Sequence, residues 1–149
     1  PRDPINVMIS LGYTFLTKEI CSALEAESFE TYLGFLHGIR YGRKSLALDI
    51  VEEFRQPVID RMVLKLFNKR MLSKYDFETE GEMVILNTEG FRKFCTEYEK
   101  WMSGKNDDAN VSGFRRLIRG QAALLKQSIQ KGTDYVPFSL EARHVCGEL

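Results

Sequence analysis

From residue 4 onward apolar side chains recur at helical spacing: Ile5, Met8, Ile9, Leu16, Ile20 and Leu24 fall on one stripe of a helix. Asp3-Pro4 supplies a cap residue followed by proline at the first helical position, where its missing N–H costs nothing. A long helix is therefore predicted from about 4 to 27. Over 28–45 the pattern breaks, because Gly34, Gly38 and Gly42 interrupt a basic stretch that also carries His37; this segment is predicted as a loop or short irregular connection. Ser45 is a good cap, and Leu46, Leu48, Ile50, Val51 and Phe54 begin a second helix. Pro57 either kinks that helix or opens a third one through Ile59, Val63, Leu66 and Phe67; both readings keep one face buried.

The period changes at 76–87, where FETEG and EMVIL alternate around Gly81, the pattern of a small β-hairpin. Thr88 is read as the cap of a helix to about Met102. A polar NDDAN loop follows, and Ser112 begins a last helix through Leu117, Ala122, Leu125 and Ile129, closed by Gly132. Phe91, Phe94 and Trp101 sit at helical spacing and read as core rather than as platforms for bases. From Thr133 no period is visible. The predicted fold class is all-α, a multi-helix bundle with a small β-hairpin insertion near 77–87; residues 1–132 form the helical domain and 133–149 an extended tail.

Composition agrees with one globular domain: 149 residues, 44% hydrophobic and 28% charged, with no apolar run near the roughly 20 residues of a membrane span. Disorder, a membrane anchor and a collagen-like fibre are excluded. The formal charge is zero, which argues against a uniformly polybasic nucleic-acid binder. Taken by segment, however, the chain carries +4 over 40–70 and +5 over 111–132 against −4 over 71–110. Arg40, Arg43, Lys44, Arg55 and Arg61 form one basic group, and Arg115, Arg116, Arg119 and Lys126 another. They either converge on a polyanion such as DNA or are ordinary solvated helix faces. Cys21, Cys95 and Cys146 are odd in number and far apart, so neither a zinc ribbon nor a disulfide framework is indicated, and a reducing cytoplasm is the expected compartment. The chain opens on Pro rather than Met and is read as a piece of a longer protein.

Candidate chemistry lies in GFLHGIRYGRKSLALDIVEEFR. His37 precedes Asp49 by twelve residues and Glu52 follows Asp49 by three, so the two carboxylates share a helix face while the imidazole comes from the preceding loop. Carboxylate and imidazole ligation suits Mn²⁺ and tolerates Mg²⁺; zinc would more often recruit further His or Cys. Such an ion polarises a phosphodiester and activates a water or hydroxyl. Glu53 is the alternative to Glu52 if the helix register differs. G-x-S-x-G, a Gly-rich phosphate loop, H-E-x-x-H and an adjacent His-Asp pair are all missing from the sequence.

The runs DPINVMISLGYTFL, GFLHGIRYGRKSLALDIVEEFR and VIDRMVLKLFNKRML, in that order, resemble the C-terminal helical domain of the CRISPR-associated endonuclease and integrase, the first and most general of the CRISPR-associated proteins. That family inserts short foreign DNA segments into a CRISPR repeat array, as homodimers that sandwich a dimer of the second CRISPR-associated protein. The resemblance implies that His37, Asp49 and Glu52 are metal ligands and the catalytic residues. It implies that Arg40, Arg43 and Lys44 hold DNA phosphates; Arg55, Arg61, Arg115 and Arg119 are further DNA-binding candidates. Asn6 matches a position near the family's site, as a helix-end residue or a support for the ligands. The family also uses a Glu upstream of the DP-x-N motif and an N-terminal β domain, so this fragment is expected to bind metal weakly and to transfer strands poorly. A helical module that only binds DNA or a partner is the competing reading.

Overall fold

The computed structural model describes residues 3–30, 45–105 and 113–140. Helix α1, Pro4–Ala26, runs where the periodicity put it. Asp3 caps it by accepting from the Asn6 N–H at 3.0 Å. Met8, Gly12, Leu16, Ile20 and Leu24 form its buried stripe, one residue per turn, whereas Ile5 is exposed. The stripe packs against α2 (Ser45–Phe54), a π-helical stretch Arg55–Asp60, α3 (Arg61–Asn68) and α5 (Phe114–Lys131), so α1 is the central strut of the bundle.

The third helix through Val63, Leu66 and Phe67 is present as α3, although it opens at Arg61 and not at Pro57. Pro57 has no N–H to donate to residue 53, and the chain responds by widening to π spacing over Arg55–Asp60 rather than stopping. The wider turn sends Pro57, Val58 and Ile59 consecutively into the core. Ile59 presses on Gly12, where an added Cβ would lie 2.6 Å from its Cγ2. The π stretch is tied to α1 by the Tyr13 hydroxyl, which donates to Asp60 at 2.8 Å and accepts from Arg55 Nε at 2.5 Å.

The hairpin is present as β1 (Phe77–Glu80) and β2 (Met83–Leu86), antiparallel with Phe77 opposite Leu86 and Glu80 opposite Met83. Gly81 turns it with φ +61°. Helix α4, Thr88–Ser103, is capped by Asn87 rather than by Thr88: the Asn87 side chain accepts from the Gly90 N–H at 2.9 Å. An amide one residue earlier reaches the free N–H groups that the Thr88 hydroxyl, already inside the helix, does not. The N-cap of α5 is Gly113, and Ser112 lies outside the described residues. Gly132 closes α5 in the left-handed conformation, φ +64°, as predicted.

Two buried ionic contacts fasten α4. Glu97, 2% exposed, accepts from Lys65 Nζ of α3 at 2.7 Å and from Trp101 Nε1 at 3.1 Å. Asp76, 3% exposed, accepts from Lys93 Nζ at 2.7 Å and from the Ser73 N–H at 2.7 Å. Burial alone would raise the Asp76 pKa, but the Lys93 and Ser73 hydrogen bonds outweigh it and hold the group below the ordinary carboxylate range. Its contribution to stability is therefore complete above the unfolded value near about 4 and is lost as pH falls through the lower folded value. Lys93→Met is expected to destabilise the fold by about 1–3 kcal/mol at pH 7, with the deficit shrinking as urea titrations move from about pH 5 toward about pH 2. A deficit that stays constant across that range would contradict this role for Asp76.

Candidate active site

Helix α2 exposes one side to a cleft of about 760 Å³. Its first wall is α2 itself, through Leu46, Asp49, Ile50, Glu52 and Glu53; the second is the C-terminal part of α5, through Leu125, Ser128 and Ile129. The third is the irregular segment after Gly132, which contributes Tyr135, Pro137 and Phe138. The helix repeat brings Asp49 and Glu52 to this cleft together, as their spacing predicts. Asp49 is 7% exposed, and its neighbours Leu46, Ile50 and Val51 are buried core residues. Glu52 stands at the rim with its side chain half exposed, 3.5 Å from the Arg55 guanidinium.

Glu53 separates from this pair. Its two carboxylate oxygens accept from the Tyr135 hydroxyl, each at 2.9 Å, and one also accepts from the Phe138 N–H at 2.7 Å. Burial pushes the Glu53 pKa up, against the opposing effect of the Phe138 N–H and the Tyr135 hydroxyl. Among the described residues no three His, Cys, Asp or Glu side chains gather closely enough to hold an ion, so Glu53 does not join Asp49 and Glu52 in one cluster. The donor chemistry of Asp49 and Glu52 does fit a hard divalent cation: two carboxylates on one wall of a cleft that a substrate can enter. His37 and the basic residues Arg40, Arg43 and Lys44 lie outside the described residues.

The remaining candidates are dispersed. Arg55 lies over the Tyr13 ring, 4.7 Å from its centroid, at the rim beside Glu52. Arg61 lines a hollow continuous with Glu53 and Phe138. Arg115 is engaged within the protein. Its guanidinium is clamped by Glu19 at 2.7 Å and Glu99 at 2.8 Å, and the hydrogen bonds it donates to Glu99 and then Glu19 hold its pKa well above the ordinary arginine value. These pairs tie α5 to α1 and α4. Lys126 likewise pairs with Glu27 at 3.2 Å. Arg119 is exposed on the α1 side of α5, in a hollow shared with Glu19, Ala23 and Glu27. Asn6 is occupied at the helix end, bonding Asp3 through both backbone and side chain, and does not line the cleft. The sequence reading missed Gln121, Tyr135 and Phe138; the two aromatics of DYVPF, after the helix-closing Gly132, were the available signal.

Comparison with known proteins places this arrangement in a family. The family described as CRISPR associated protein Cas1 matches residues 1–100. A CRISPR-associated endonuclease Cas1 of Thermus thermophilus is 37% identical over 144 residues, covering 94% of this chain and 43% of the relative. A solved Cas1 protein from Thermotoga maritima superposes with a TM-score of 0.81 at 29% identity, over 93% of this chain and 43% of that one. A chain of a partial Cas6-RT-Cas1–Cas2 complex does so with a TM-score of 0.76 at 26% identity, over 89% of this chain and 40% of that one. The chain belongs to the Cas1 family, and it spans less than half the length of these relatives. The all-α bundle with its hairpin is the fold they share. Among the described residues no helix is long and apolar enough to cross a membrane.

Proposed function

We propose that this chain is the helical catalytic part of a divalent-metal-dependent DNA endonuclease and integrase that joins foreign DNA segments into a CRISPR repeat array. The observation that carries the reading is the placement of Asp49 and Glu52 together on one wall of the cleft, in a chain whose relative is named an endonuclease. His37, Asp49 and Glu52 would hold Mn²⁺ or Mg²⁺. When bound, the ion supplies Lewis acidity to a phosphodiester and lowers the pKa of the attacking hydroxyl. The chain's own residues do the rest. Asp49, 7% exposed on the cleft wall, is largely shielded from water; Glu52, at the rim, stays accessible from the cleft; Arg55 beside Glu52 offers a positive charge where a phosphate enters.

Arg40, Arg43, Lys44 and Arg61 are the proposed phosphate contacts, with Arg119 a peripheral one. The complex of a Cas1 relative with Cas2 supports a Cas2 partner for the protein that contains this chain, and a homodimer is proposed with it. In that protein, nicking and joining of a DNA strand is expected to require Mn²⁺ or Mg²⁺ and to stop in EDTA. DNA affinity unchanged by EDTA, together with no nicking in either ion, would show a binding module instead. Arg61→Ala is expected to weaken DNA binding similarly across sequences and to reduce the slope of log affinity against log salt by roughly 1.

A further inference from the structure

The third wall of the cleft, residues 133–138, belongs to no helix or strand. Side-chain hydrogen bonds hold it instead. Gln121, buried on α5, donates from one amide nitrogen to the Tyr135 hydroxyl at 2.8 Å and to the Val136 carbonyl at 2.7 Å. The Tyr135 hydroxyl in turn donates to Glu53 at 2.9 Å, and Glu53 also accepts from the Phe138 N–H at 2.7 Å. The Phe138 ring then stacks on Phe54, 4.4 Å between centroids and 15° between planes. The links through Glu53 and Phe54 fix the strap to the end of α2, the helix that carries Asp49 and Glu52, and those through Gln121 fix it to α5.

A partly buried carboxylate here costs desolvation that an apolar side chain would avoid. It also does what an apolar residue does not: it sets the register of a segment whose Val136 side chain is 74% exposed and gives little packing of its own. We propose that Glu53, Tyr135 and Gln121 are positioning residues, a latch that fixes residues 133–138 as the wall seating a DNA strand end against Asp49 and Glu52. This rests on the function proposed above.

The test uses the protein that contains this chain, with Tyr135→Phe, which removes one hydroxyl, and Gln121→Met, which keeps volume and frees the strap from α5. Both are expected to raise the KM for the joined DNA strand about tenfold, through the loss of one hydrogen bond to a charged group in Tyr135→Phe and of two to neutral groups in Gln121→Met, with kcat lowered less than about threefold. The Mn²⁺ concentration giving half the maximal rate stays within about twofold of wild type, because the ion-holding carboxylates are untouched. Amide exchange across 133–138 speeds up at least about tenfold. Faster exchange with an unaltered KM overturns the proposal, leaving the strap merely structural, as does unaltered exchange. An altered Mn²⁺ requirement in Tyr135→Phe also overturns it, by placing Glu53 at the ion. If the wild-type protein joins no DNA in Mn²⁺, the reading of the site fails and the latch falls with it; wild-type joining with unaltered KM in both variants fails the latch alone.

Discussion

Asp49→Asn, made in the protein that contains this chain, is expected to lower metal-dependent DNA joining on the order of a thousandfold while leaving the fold intact. A bound ion stabilises charge on the reacting phosphate by several kcal/mol, and each 1.36 kcal/mol is about tenfold in rate. The substitution keeps the shape of a side chain that is 7% exposed and removes the charge that would hold the ion. Glu52→Gln, at the half-exposed rim, should cost less than Asp49→Asn and more than Glu53→Gln, whose carboxylate faces Tyr135 and the Phe138 N–H. Single-turnover joining assays at saturating Mn²⁺, with circular dichroism as the check on folding, read this order. Full activity in Asp49→Asn would remove that residue from the mechanism, and a larger loss in Glu53→Gln than in Glu52→Gln would exchange their roles.

The largest expected loss of stability comes from Lys65→Met. Lys65 Nζ lies 2.7 Å from a Glu97 oxygen whose residue is 2% exposed; Lys100 Nζ is 3.8 Å from the other oxygen, with its own side chain 48% exposed. Removing one member of a buried pair leaves the other charge without its principal partner, at a cost of about 3–5 kcal/mol. The double variant Lys65→Met with Glu97→Gln should recover part of that, because the buried charge is gone and the Trp101 indole keeps an acceptor. Urea unfolding of the two variants and wild type measures the difference. A single variant within about 0.5 kcal/mol of wild type would show that Lys65 is not the counter-charge that matters.

What the sequence made legible was local. The stripe of α1, the alternation of the hairpin and the closing Gly132 each depend on neighbours within a few residues, and each was readable. The pairing of Asp49 with Glu52 was readable for the same reason, since a helix turn alone brings them together. Glu52 and Glu53, one residue apart, have different surroundings that no local spacing shows: the strap engages Glu53 from 82 and 85 residues away. The clamp on Arg115 was not legible because it depends on Glu19, 96 residues distant, and a basic helix face looks the same in sequence whether paired or free. The π stretch was hidden because Pro57 permits several outcomes, and packing of Val58 and Ile59 against α1 selects one.

The central claim is that Asp49 and Glu52 hold a divalent ion while Glu53 holds the strap. Electron paramagnetic resonance titration of Mn²⁺ into the protein that contains this chain tests it most directly, comparing wild type with Asp49→Asn/Glu52→Gln and with Glu53→Gln. The account predicts that the double variant weakens Mn²⁺ binding by more than about tenfold, while Glu53→Gln stays within about twofold of wild type. Unchanged binding in the double variant, or a loss confined to Glu53→Gln, would contradict it.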